Sequence, residues 1–170
     1  MVGIGSGWMK EEFEAVDVPY NLRGVRTDES LQAMRAIWRE PVASFHGKHF
    51  HFNNVKSFPK PVQQDGIPIH IGGHSPAAAR RAGKYGDGFF PNVTSLNQLA
   101  EMFKLVRESA KEAGRNPNQI EFSTMAAPKL ETIRAMLDLG VKRVVFGPPS
   151  SDPAKLKREL ERIANDLAHV

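Results

Sequence analysis

Apolar residues along this chain follow two rhythms, and each change of rhythm marks a change of element. Short apolar runs of strand length lie at residues 2–5, 67–71, within 86–91, at 120–125 and at 141–146. Between them the apolar positions recur at helical spacing. Leu31, Met34, Ile37 and Trp38 give one face of a helix predicted over about 22–40, which Pro41 stops. A second helix is predicted over 76–85. Leu96, Leu99, Phe103, Val106 and Ala110 stripe a third, opened by capping-box spacing from Ser95 to Gln98 and ended by Gly114. Leu130, Ile133 and Leu137 point inward from a fourth, over 130–139, with Gly140 as its terminator. Asp152-Pro153 starts the last helix, striped by Leu156, Leu160, Ile163 and Leu167.

Two stretches fit neither rhythm. The segment with Glu11, Glu12 and Phe13 reads simply as polar. Residues 42–58 carry Val42, Phe45, Phe50, Phe52, Val55 and Phe58 around a Gly47-Lys48 turn, which predicts a β-hairpin or an irregular excursion.

The order is strand, helix, hairpin, then strand and helix in strict alternation. Such an order means parallel strands joined by right-handed crossovers. Five strands suit an open doubly wound sheet or the later part of a (β/α)₈ barrel. The long excursion and the lack of a switch-point fingerprint count against the doubly wound sheet. A whole barrel takes about 250 residues. This chain has 170 and opens inside a strand, as expected of one domain, 1–170, that lacks about the first three βα units.

Composition changes the picture little. Hydrophobic residues make up 41% and charged residues 25%, as in ordinary globular proteins. The net charge is +4, but Lys and Arg are spread along the chain, so solvated faces are expected rather than a nucleic-acid patch. Without cysteine there are no disulfides, no Cys-type zinc sites and no thiol catalysis, which fits a cytoplasmic location. No stretch approaches the ~18 apolar residues of a membrane span. No signal-peptide pattern opens the chain.

Candidate chemistry gathers where strands end in glycine. Ile71 runs into Gly72, Gly73, His74 and Ser75, and Pro76 follows. The glycines permit a sharp turn and a close ligand approach. Ser75 suits the N-cap and Pro76 the first helical position. Free amides and the positive helix end there form a site for an anion, phosphate above all. The alternative is a connection capped for stability alone. Gly5, Ser6 and Gly7 make a second such turn; Ser6 offers a donor, or the turn merely needs glycine freedom. Trp8 reads as a packing residue, with shielding of a pocket as the alternative.

His46, His49 and His51 invite a metal, with His49 and His51 sharing a strand face, but no carboxylate pattern accompanies them and no metal is assigned. His70 points into a barrel mouth or a satisfied core. Asp87 reads as a structural turn carboxylate. Arg23 and Arg26 are expected to pair with Glu12, Asp28 or Glu29. Arg80 and Arg81 read as solvated helix charges, with help to an anion as the alternative. No nucleophile–base pair is visible, so catalytic residues stay unassigned.

Several segments together resemble one family. They are Gly3-Ile4-Gly5-Ser6-Gly7-Trp8 with Glu12-Phe13, Arg23 with Asp28-Glu29 and Trp38, and Pro59-Lys60-Pro61-Val62-Gln63 through Ile69 to Gly73, Ser75, Ala82 and Gly86-Asp87-Gly88-Phe89. Leu139-Gly140-Val141 with Arg143-Val144-Val145-Phe146 looks like that family's last strand. The chain resembles the luciferase-like monooxygenases, flavin- or deazaflavin-dependent oxidoreductases with a TIM-barrel fold. The resemblance implies coenzyme F420, with FMN as the alternative, and a small organic substrate undergoing hydride transfer or monooxygenation. It implies that Gly5, Ser6 and Gly7 line the cofactor and that Gly72, Gly73, His74 and Ser75 face its phosphate. The units missing here contribute, in the family, to the ring pocket and to substrate binding. The chain is therefore expected to hold the phosphate end better than the chemical end, and to be inactive alone or to work with a homo-oligomeric or other partner that completes the barrel. The alternative is a non-catalytic half-barrel, a binding or assembly module.

Overall fold

Five of the apolar runs pair side by side in the computed structural model, which describes residues 1–93 and 95–168; Thr94, His169 and Val170 lie outside. The strands are β1 (Val2–Ile4), β4 (Ile69–Gly72), β5 (Gly88–Phe90), β6 (Glu121–Met125) and β7 (Val141–Val145). They form one sheet in the order β1-β4-β5-β6-β7, and every neighbouring pair is parallel. The excursion is a separate antiparallel hairpin of β2 (Ala43–His46) and β3 (His51–Val55), with Phe45 opposite Phe52. The helices are α1 (Lys10–Ala15), α2 (Arg23–Arg39), α3 (Pro76–Tyr85), α4 (Leu96–Glu112), α5 (Leu130–Asp138) and α6 (Pro153–Leu167). A doubly wound sheet reverses its strand order at a switch point. This order runs one way throughout, so that alternative is set aside.

Strand side chains alternate between faces. Ile69, Ile71, Phe89, Phe122 and Val141 turn to one face and are buried with Ala78, Ala79 and Ala82 of α3 and with Leu99, Phe103 and Val106 of α4. Phe103 stacks on Phe122 with ring centroids 4.0 Å apart and meets Phe89 edge-on at 6.5 Å. Each buried side chain of this size contributes roughly 1.5–3 kcal/mol of transfer free energy. Helix α3 lies close against α4 because Gly83 has no side chain. A Cβ there would stand 2.7 Å from the Ser109 Cβ and 2.8 Å from the Ala110 amide nitrogen. Leu31 of α2 is also buried in this core, and Trp38 packs against it.

Four local expectations change. Helix α1 forms in the segment read as polar; its apolar Phe13 packs edge-on against Tyr20 at 5.4 Å. Ser95 makes no side-chain cap, so the capping box is not closed. In α5 the buried pair is Ile133 and Met136, while Leu130 and Leu137 are exposed. The i, i+3 pair faces the sheet and the two leucines fall on its flanks. Only Ile163 of the α6 stripe is buried, and Leu160 is exposed. Asp152 does cap α6, accepting from the Lys155 amide at 2.7 Å.

Candidate active site at the strand ends

Parallel pairing puts the C-terminal ends of all five strands at one edge. Strands β1 and β4 are neighbours with Ile4 opposite Ile71. The turn Gly5-Ser6-Gly7 therefore lies beside the turn Gly72-Gly73-His74-Ser75. Gly5 and Gly72 line one cavity of about 360 Å³, whose lining comes wholly from the strands and the residues next to them.

The two turns use their glycines differently. Gly73 has φ +137°, and a Cβ there would stand 2.8 Å from the Ala78 Cβ. Both conformation and space demand glycine. Gly7 has φ +78° and is closed off by the Phe13 ring at 2.7 Å. It shapes its turn rather than opening a ligand surface. Gly5 meets nothing within 4 Å, and Gly72 meets only backbone oxygens at 3.8 and 3.9 Å.

Ser75 is the N-cap of α3, and its hydroxyl oxygen accepts from the Ala78 amide at 3.2 Å. The Ala79 amide donates to the Ser75 carbonyl, and Pro76 has no amide hydrogen. Ala77 keeps an amide that the helix itself does not satisfy. The Ser75 hydroxyl proton is also free to donate outward. Together with the positive end of α3 these are donors for an anion. His74 is exposed.

Ser6 is already engaged. Its hydroxyl accepts from Arg81 Nη1 at 3.0 Å. Arg81 is only 8% exposed, pairs with Asp28 and donates to the Gly24 carbonyl at 3.1 Å. It is thus neither a solvated helix charge nor an anion donor. It ties α3 to α2 and braces the Ser6 turn. Arg80, the neighbouring charge, is exposed. Trp8 is 77% exposed and takes no part in a core.

The open face of the sheet sets a few polar side chains among a mainly apolar lining. Gly3, His70, Ser123 and Arg143 line the same cavity. Arg143 pairs with Glu121 at 3.1 Å, and the Ser123 hydroxyl donates to that carboxylate at 3.3 Å. The His70 ring lies over Gly88, where a Cβ would come within 2.6 Å of Nε2. Burial is the main cause that holds His70 below its ordinary pKa; the Glu121 carboxylate pulls the other way. The ring is neutral at physiological pH and fills the wall of the cavity.

Other candidates resolve into scaffold. Asp87 accepts from Arg35 and from the Ile69 amide, both at 2.8 Å, and sits 3.8 Å from Arg115. The ion pairs expected of Arg23 and Arg26 do not form. Asp28 is taken by Arg81, and Glu29 accepts from the His49 and Phe50 amides at 2.6 Å. Arg23 instead lies 3.8 Å from the Tyr20 ring, and Arg26 5.2 Å from that of Phe50. The facing histidines are His46 and His51, cross-strand with Nδ1 atoms 3.3 Å apart, not His49 and His51. Among the described residues no three His, Cys, Asp or Glu side chains converge. Nor is any helix among them long and apolar enough to cross a membrane.

Comparison with known proteins identifies the family and the fold. The family model for luciferase-like monooxygenase matches residues 1–133. An uncharacterized protein of Mycobacterium tuberculosis (strain ATCC 25618 / H37Rv) is 29% identical over 98% of this chain and 60% of its own length. The FMNH(2)-dependent dimethylsulfone monooxygenase of Pseudomonas putida is 34% identical over 66% of this chain and 32% of its own. The structure of an F420-dependent secondary alcohol dehydrogenase in complex with an F420-acetone adduct superposes with a TM-score of 0.65. It is 19% identical, covering 97% of this chain and 60% of that one, so the likeness is one of fold. The chain spans 60% or less of the length of these relatives. With the family model matched over most of its residues, the chain belongs to the luciferase-like monooxygenase family.

Proposed function

We propose that this chain is the phosphate-holding part of an oxidoreductase barrel that uses coenzyme F420, with FMN as the alternative, on a small organic substrate. The observation that carries this reading is the pair of adjacent glycine turns at the C-terminal ends of β1 and β4, with the capped start of α3 opening from the second. Ligands bind at that end of βα barrels. The one-way parallel strand order, with the apolar core on one face and an open cavity on the other, suits five of eight barrel units, the first three being absent.

The residues fit a phosphate. Gly73, at φ +137°, turns the chain sharply into α3, and Ser75 and Ala77 bring a hydroxyl and an amide to that turn. Gly72, with no side chain, leaves the cavity mouth open, His74 is exposed in the same turn and Ser6 adds a hydroxyl from the neighbouring turn. When bound, the cofactor supplies hydride-transfer or oxygen-activating chemistry, and the protein's task is to bind and orient it. Both cofactor types occur among the similar proteins, F420 in the alcohol dehydrogenase and FMNH2 in the dimethylsulfone monooxygenase. The absence of cysteine suits a reducing cytoplasm.

Fluorescence anisotropy of F420 and of FMN, each titrated with the chain, tests this. We expect saturable binding of one of them, weakened about three- to tenfold by Ser75→Ala through the loss of a hydrogen bond to a charged group. Binding of neither, or binding indifferent to Ser75→Ala in a variant that still melts cooperatively, would overturn it.

A second reading, a non-catalytic half-barrel that assembles with a partner, is favoured by one observation. Met125 and Val145, large apolar residues at the ends of neighbouring strands, are 51% and 41% exposed.

A further inference from the structure

We infer that the cleft between α2, the β1 turn and the hairpin is a second anion site, built around Arg23 and Arg26, for a phosphate-type group. The cleft has a volume of about 150 Å³ and is lined by Ser6, Phe13, Arg23, Arg26, Ser30 and Phe50 among others. Its two cations are three residues apart on α2, a spacing that places like charges together at a cost to the helix. Ordinarily an acid offsets that cost. Here the neighbouring acids are committed elsewhere, Asp28 to Arg81 and Glu29 to the hairpin amides. Among the described residues Arg23 and Arg26 make no ion pair.

Both guanidinium groups are nonetheless held in place. Arg23 stacks on Tyr20 and donates to the Tyr20 carbonyl at 3.0 Å, and Arg26 lies over Phe50. Such stacking fixes orientation and leaves most of the edge N–H donors unused. The Thr27 and Ser30 hydroxyls donate to the Arg23 and Thr27 carbonyls, at 2.7 and 2.9 Å, so they do not compete for an anion. Ser6 accepts from Arg81, which directs its own proton outward. The Arg81 charge is offset by Asp28. The cleft therefore presents two fixed guanidinium forks and one hydroxyl, a set that matches tetrahedral oxyanions bidentately. Its size suits a phosphate or pyrophosphate group, not a ring system. The cleft shares Ser6 with the cofactor assignment above, but its two arginines take no part in that assignment, so each reading can fail without the other.

The test is a titration of the isotope-labelled chain with inorganic pyrophosphate, followed by amide NMR shifts. Saturable shifts at Ser6, Thr27 and Phe50 are expected. Arg26→Gln should weaken binding about tenfold, as loss of a charge-assisted contact does, and Arg26→Lys, which keeps the charge but not the fork, should restore only part of it. The Arg26 side chain makes no hydrogen bond among the described residues, so its replacement leaves the fold intact; an unchanged melting temperature checks this. Shifts that stay linear with concentration, or equal affinity in Arg26→Gln, would overturn the inference. Competition identifies the source of the group. Displacement of pyrophosphate by F420 or FMN assigns the cleft to the cofactor's phosphate, and simultaneous binding assigns it to an anionic substrate. Pyrophosphate binding with no cofactor binding would refute the cofactor reading and leave this one standing.

Discussion

Among the described residues His70 and Arg81 are the two ionisable side chains most deeply buried, and each answers burial differently. The Arg81 guanidinium is compensated by Asp28, Ser6 and the Gly24 carbonyl. Removing one partner of a buried ion pair costs about 3–5 kcal/mol. Asp28 is one-third exposed, so the lower end applies, and Arg81→Met should lose about 3 kcal/mol in urea denaturation. It should also loosen the Ser6 turn. His70 instead sheds its proton. Its folded pKa lies below the ordinary value because burial disfavours the imidazolium. The unfolded chain thus binds more protons just below the unfolded pKa of about 6.5. Stability is unaffected above that pH and falls as the solution is made more acidic through it. His70→Gln should flatten the difference between denaturation midpoints at pH 5 and pH 7.5. An unchanged pH profile would show that His70 is not the group responsible. For His70 the sequence left the barrel mouth and a satisfied core as alternatives, and the structure buries it in the cavity wall; the environment of Arg81 was not legible beforehand. An Arg in a helix and a His between isoleucines look the same in sequence whether they meet an acid, a glycine or water.

At the scale of elements, periodicity was a good guide where neighbours cover the whole apolar stripe. The stripe of α4 lands in the core as written, apart from Leu96, because both α3 and the sheet cover it. Helix α5 is covered along a narrower strip, so its buried pair is Ile133 and Met136 rather than the leucines. The closest contact in this layer depends on Gly83, which looks like a helix-weakening residue in the sequence. Gly83→Val would drive a branched side chain into the Ser109 Cβ and the α4 backbone. Overpacking of this kind costs about 1–3 kcal/mol, and here the obstruction is backbone, so the upper end is expected in a urea midpoint. The hairpin teaches the complementary point. Its aromatic content was plain, but its attachment to α2 through Glu29 and two backbone amides depends on contacts some twenty residues apart.

For the whole molecule, the balance of its two faces matters most. One face of the sheet is sealed by helices, and the other lines an open cavity. Edge strands with unpaired backbone groups invite association. If the chain works as a half-barrel module, light scattering should find a dimer or larger species, and Val145→Lys should shift it toward monomer. A monodisperse monomer at all concentrations would sink that reading. The F420 and FMN titrations decide the other.

What the sequence by itself determined is the list and order of the main elements, the family, and the two glycine turns. Those follow from local chemistry: apolar periodicity, capping residues and the φ angles that only glycine adopts readily. What only the tertiary structure decided is which turn residues face open space and which are spoken for. Gly5 and Gly72 line a cavity, Gly7 is blocked by Phe13, Ser6 is held by Arg81, and two arginines lose their expected acids. Each of these outcomes depends on atoms brought together from distant parts of the chain, and long-range pairing leaves no periodic trace in the residues that take part in it.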